Sequence, residues 1–196
     1  MIVLGITGSI GMGKSVAAAQ LRRLGVPVHD ADAQVHALLA HDRAAIEAVG
    51  RAFPGTVTAG RVDRAALGAR VFDNDAALAR LEAILHPLVR ARTAAFIARA
   101  QRRRLQLVAL DIPLLFETGG EGQCDRVAVV SAPAFLQEQR VLRRPRMTKA
   151  RLESIRARQM PDTEKRRWAD YVITSGNGKR ASLRKLVGIV QSLRRP

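Results

Sequence analysis

The chain has a single cysteine, Cys124, in 196 residues, so no intrachain disulfide can form and nothing calls for an oxidising compartment. One Trp, one Tyr and five Phe leave the core to aliphatic side chains. They are too few for the aromatic platform on which single-stranded nucleic acid stacks. No run of about 18 apolar residues occurs, so no membrane helix is expected. The apolar start is broken by Gly5, Gly8, Gly11 and Gly13 and followed by Lys14, unlike a secretory leader. The expectation is a soluble cytoplasmic protein. Acidic residues are also scarce: 17 Asp+Glu face 33 Lys+Arg, a formal charge of +16. That balance suits anionic partners such as phosphorylated small molecules, or reflects arginine spread over solvated helix faces. Repeats and low-complexity tracts are absent, and the length suits one domain.

What is present begins at residue 2. Ile2-Val3-Leu4-Gly5-Ile6-Thr7 reads as a buried strand. Gly8-Ser9-Ile10-Gly11-Met12-Gly13-Lys14-Ser15 follows, and Val16 to Leu24 reads as a helix. Strand, G-x-x-x-x-G-K-[ST] and helix in that order make a phosphate-binding loop. Glycines let successive N–H groups turn round a phosphate, and the helix N-terminus adds its dipole. The nucleotide-binding set is therefore Gly8, Gly11, Met12, Gly13, Lys14, Ser15 and Val16. Lys14 is expected at the β- and γ-phosphates and the Ser15 hydroxyl on Mg²⁺.

Further strands are expected at Val26–His29, Leu105–Leu110, Arg126–Val130 and Tyr171–Thr174. Helices alternate with them, so the fold expected is α/β, a three-layer P-loop kinase fold with a mostly parallel sheet. Residues 62 to 104 read as nearly all helical, with Pro87 starting a new helix or bending the old one. A C-terminal helix carries Leu183, Leu186, Val187, Val190 and Leu193. Ligands of such sheets bind at the carboxyl ends of the strands, where three acids fall. Asp30-Ala31-Asp32 opens a helical stretch to about Ala40; if the chain instead stays extended there, the two carboxylates point the same way, and one of them can orient or deprotonate an attacking hydroxyl. Helix capping and dipole placement are the other readings of this pair. Asp111 ends an apolar run, which suits a magnesium-holding acid or a carboxylate capping a strand end. Arg140, Arg143, Arg144 and Arg146, with Lys149, Arg151, Arg156 and Arg158, form a basic arm. In small P-loop kinases such an arm is a lid that neutralises charge on the transferred group; a solvated helix face is the plainer alternative.

The loop, Asp30-Ala31-Asp32, Leu85-His86-Pro87, Pro113-Leu114-Leu115-Phe116-Glu117, Gln139-Arg140 with Arg144, Gln159 and Ala169-Asp170-Tyr171-Val172-Ile173 together resemble the dephospho-CoA kinase family, over nearly the whole chain. The resemblance implies ATP-dependent phosphorylation of the 3′-hydroxyl of the dephospho-CoA ribose, with ATP and Mg²⁺. It implies the small-molecule substrates ATP and dephospho-CoA; from the residues themselves, nucleic acid is not the expected partner despite the charge, no membrane is expected, and no obligatory protein partner is inferred. It also implies a nucleotide-binding core (1–60, 105–139 and 166–196), a helical acceptor part near 61–104 and a lid near 140–165. By position, Lys14, Asp32, Arg140 and Arg144 become the catalytic set, and Asp32, His86 and Leu114 the acceptor-binding set. The metal set, read from the loop and the strand end and not from the resemblance, is Ser15 with Asp111. Another small-molecule kinase acting on a nucleoside or nucleotide is the first alternative; a nucleic-acid module using the positive charge is the second.

Overall fold

The apolar run after Met1 forms strand β1 (Ile2–Thr7) and the glycine loop leads into helix α1 (Lys14–Arg23). In a computed structural model of the chain, residues 1–72 and 74–194 are described. Residue 73 of the expected helical part and residues 195 and 196 of the expected core lie outside them. Strand β2 (Val28–Asp30) ends the first stretch.

The chain then builds a helical unit, Ala31–Arg99. It contains α2 (Ala31–His41), α3 (Arg43–Ala52), a hairpin of β3 (Val57–Thr58) and β4 (Arg61–Val62), α4 (Arg64–Val71) and most of α5 (Asp75–Arg102). Asp42 caps α3 by accepting from the Ala45 N–H, and Asp63 caps α4 by accepting from Ala65 and Ala66, as short polar side chains do at helix starts. Leu39, Ile46, Val49, Phe53, Leu67, Leu81 and Leu85 form its core.

Residues 1–30 and 100 onward form the other unit. There β5 (Leu107–Asp111), β6 (Arg126–Ser131), α6 (Ala134–Leu142), α7 (Lys149–Ala157), α8 (Asp162–Arg167), β7 (Tyr171–Thr174) and α9 (Lys179–Arg194) complete the set. The five strands are parallel, in the order β2-β5-β1-β6-β7. Alternate residues sort to the two faces. Leu4, Ile6, Leu107, Ala109, Ala128, Val130 and Ile173 meet α1 and α9 through Ala17, Leu21, Leu186 and Ile189. Val127 and Val129 meet Leu115, Phe116, Met160 and Ala169. That gives the three-layer α/β arrangement expected, with every long strand in the place predicted.

Pro87 lies inside α5 and does not start a new helix. The ring costs the Ala83 carbonyl its helical partner, but Ala83 is exposed, so water can take that place, and Leu81 and Leu85 pin the helix in the core just before the proline. A helix does open at Asp30-Ala31-Asp32, so the extended alternative for the pair falls. Strand β2 stops at Asp30 and α2 begins at Ala31, so alternation along a strand cannot align the two carboxylates.

Candidate active site

Strand β1 sits mid-sheet, between β5 and β6. Ligands of such sheets bind in the crevice at the carboxyl ends of the strands. The loop 8–15 fills that position. Gly11 and Gly13 have φ of 77° and 97°, a region that favours glycine. A Cβ on Gly11 would also lie 2.6 Å from Val141 Cγ2, and one on Gly8 2.5 Å from the Val130 carbonyl oxygen. The loop is thus packed from behind as well as turned.

Lys14 opens α1, and its ammonium lies 2.6 Å from Asp111 Oδ1. Asp111 is in register with Ile6 of β1 and with Asp30 of β2, which explains why the last residue of an apolar strand reaches the loop. It is only 3% exposed. Burial pushes its carboxyl above the ordinary value; the Lys14 ammonium pulls the other way, and Asp30 adds to the rise. Ser15 and Val16 are exposed on the first turn of α1. Met12 is buried, and its N–H bonds within the loop to the Ser9 carbonyl.

Four side chains hold the loop from outside, and two of them, Gln137 and Ser175, the sequence reading did not single out. Gln137 Nε2 donates to the Ile10 carbonyl at 2.9 Å, and the Ser175 hydroxyl donates to the Met12 carbonyl at 2.6 Å. Arg140 donates to Ser175 Oγ at 2.8 Å, to the Ser175 carbonyl at 3.0 Å and to the Gly11 carbonyl at 3.4 Å. Gln159 accepts from the Ile10 N–H at 3.1 Å. Ser175 had one legible signal, its place just past the carboxyl end of the last strand. Gln137 had none, being a polar residue on a helix face that turns out to be buried.

The other predicted residues fall as follows. Arg144 is exposed just past the end of α6. Leu114 is 36% exposed in the segment after β5, whose Glu117 accepts from the Met160 N–H and pairs with the buried Lys165. In the helical unit, Asp32 is exposed in the first turn of α2 and His86 is half-buried in α5. The structure brings Lys14, Asp111 and Arg140 together around the loop. Among the described residues no cluster of three or more His, Cys, Asp or Glu could hold a metal. The hard oxygens of Ser15 and Asp111 suit Mg²⁺, which usually keeps several waters and relies on substrate phosphates. No helix among the described residues is long and apolar enough to cross a membrane.

A phosphate loop on the middle strand of a parallel sheet defines a P-loop kinase architecture. Shikimate kinase from Acinetobacter baumannii shares the fold, with a TM-score of 0.55 at 16% identity over 100% of this chain and 96% of that one. A crystal structure of a Thermus thermophilus protein is similar at a TM-score of 0.86 and 37% identity, covering 100% and 98%. The family model described as dephospho-CoA kinase matches residues 2–181. The chain is 68% identical over 166 residues to the dephospho-CoA kinase of Paramagnetospirillum magneticum, 85% of this chain and 78% of that protein. The chain belongs to the dephospho-CoA kinase family.

Proposed function

We propose that the loop Gly8–Ser15 holds the triphosphate of ATP while the chain carries out the final step of coenzyme A biosynthesis. In that reaction the γ-phosphoryl group passes to the 3′-hydroxyl of the dephospho-CoA ribose, giving coenzyme A and ADP. The observation that carries the reading is the buried Lys14–Asp111 pair beside the glycine loop, on a chain that matches the family from residue 2 to residue 181. Transfer of a phosphoryl group is chiefly a matter of positioning and charge stabilisation, and the residues divide along those lines.

The nucleotide-binding set from Gly8 to Val16 cradles the phosphates, with donation from those backbone N–H groups that the loop does not spend on itself as Met12 and Val16 do, and Lys14 stabilises charge between the β- and γ-phosphates. An ammonium has three donors, and Asp111 takes one, which aims the others. Ser15, with Asp111, would hold Mg²⁺. The ion supplies Lewis-acid neutralisation of the phosphate oxygens. Asp32 orients or deprotonates the 3′-hydroxyl. Arg140 and Arg144 neutralise charge on the transferred group from a lid at about 140–165. The acceptor lies along the helical part at about 61–104, with His86 and Leu114 as contacts. The chain works on small molecules in the cytoplasm, with no nucleic-acid or obligatory protein partner. Asp32→Asn tests the division of labour. ATP affinity is expected to stay near wild type, while transfer falls by about 10²–10⁴-fold, the usual worth of a general base. An equal loss of ATP affinity would make Asp32 structural or metal-linked.

A further inference from the structure

Three consecutive carbonyls of the phosphate loop are each taken by a side chain outside the loop: Ile10 by Gln137, Gly11 by Arg140 and Met12 by Ser175. In a trans peptide the carbonyl and the following N–H point in opposite directions. A carbonyl drawn outward therefore turns the next N–H inward. Gln137 fixes the plane that carries the Gly11 N–H, and Ser175 fixes the plane that carries the Gly13 N–H. These are the peptides that glycine leaves freest to rotate.

The grip is itself held. Gln137 is 4% exposed, and its Oε1 accepts from Arg156 Nε at 3.0 Å and from a terminal Arg156 nitrogen at 2.6 Å. That orients the amide with its NH₂ toward Ile10. Ser175 Oγ accepts from Arg140 as it donates to Met12. Gln159, two residues past the end of α7, accepts the Ile10 N–H, so both polar atoms of that residue are engaged. Arg156 lies on α7 within the basic arm, yet two of its N–H groups are spent on Gln137.

We propose that Gln137 and Ser175 are positioning residues for nucleotide binding, which pre-set the loop's N–H groups for the phosphates of ATP, and that Arg156 acts through Gln137 and not on phosphate. The proposal rests on the reading that this loop holds ATP. Preorganised donors bind a ligand without first losing rotational freedom, so the effect belongs in nucleotide affinity.

The test compares Gln137→Leu, Ser175→Ala, Ser175→Thr and Arg156→Met with wild type. Nucleotide affinity is read by titration with ATP, and KM and kcat are read with dephospho-CoA as acceptor. Thermal melting reports folding. Each lost hydrogen bond is expected to raise Kd and KM for ATP by about 2- to 10-fold, with the KM for the acceptor within about 2-fold. Ser175→Thr keeps the hydroxyl and is expected to recover most of the Ser175→Ala loss. Arg156→Met is expected to weaken ATP binding in the wild-type background and to add nothing in the Gln137→Leu background. Additive losses would place Arg156 on phosphate and overturn that part. Variants that melt earlier but bind ATP normally would make the grip merely structural and overturn the whole. Failure of wild type itself to bind ATP would instead sink the loop reading.

Discussion

Lys165 has no solvent exposure, and its ammonium lies 2.8 Å from Glu117 Oε1, on a residue whose side chain is 15% exposed. The same Oε1 accepts the Met160 N–H at 2.9 Å. Lys165→Met removes one charge and keeps most of the volume, leaving the Glu117 carboxylate without its partner. Breaking a buried pair from one side costs about 3–5 kcal/mol. For a chain of this size each kcal/mol moves Tm by about 2–4 °C, so a fall of about 6–20 °C is expected. The charge left behind causes most of this loss, so removing it should restore stability. Gln at 117 still offers an oxygen to Met160, and Glu117→Gln combined with Lys165→Met is expected to recover most of the loss. Urea unfolding of wild type, both single variants and the double variant gives the cycle. A single-variant loss under about 1 kcal/mol, or a double variant no more stable than Lys165→Met alone, would refute the reasoning.

Lys14→Ala is expected to lower kcat by about 10²–10³-fold, the cost of removing one preformed donor from a developing charge; near-normal turnover in a coupled ADP assay would contradict the loop assignment. Asp111 holds its proton more tightly folded than unfolded, so it contributes stability below its ordinary value that is lost as pH rises through the raised one. Asp111→Asn, which cannot titrate, should therefore gain stability relative to wild type between pH 4 and pH 7, and urea unfolding at the two pH values would show the opposite slope if the reading is wrong. Burial, with Asp125 and Glu121 nearby, pushes the Cys124 thiol up to about 12. The native protein at pH 8 should react with a thiol reagent far more slowly than the urea-unfolded chain, and equal rates would show that the thiol is not shielded. Gly5→Ala would put a Cβ 2.7 Å from Cys124 Sγ and should cost about 1–3 kcal/mol by overpacking, with Cys124→Ala relieving part of it.

The nucleotide half of the site was legible because its chemistry is local. Ile2 to Ser15 carry strand, turn and helix start in one stretch, and the apolar run ending in Asp111 announced a second strand. Position in the sheet then follows from topology, which a chain read in order does not display. That Asp111 would stand next to Lys14 depends on β5 adding beside β1. Helix α3 and the short β3–β4 hairpin went unread. Strands of two residues are too short for any alternation to show. Pro87 left a new helix and a bent one both open, because a proline's local cost does not show the buried leucines before it that carry α5 on. Arg140 and Gln159 were named and Ser175 had its signal, but what they grip was not legible, because contacts as distant in sequence as Ile10 with Gln159, or Met12 with Ser175, leave no spacing to recognise.

The most direct measurement is ADP formation by the purified chain with ATP, Mg²⁺ and a panel of acceptors, with the phosphorylated product located by phosphorus NMR. The account predicts turnover on dephospho-CoA with the new phosphate on the ribose 3′-oxygen, and little on AMP or nucleosides. Turnover on AMP or a nucleoside with none on dephospho-CoA, or a phosphate at another position, would contradict it.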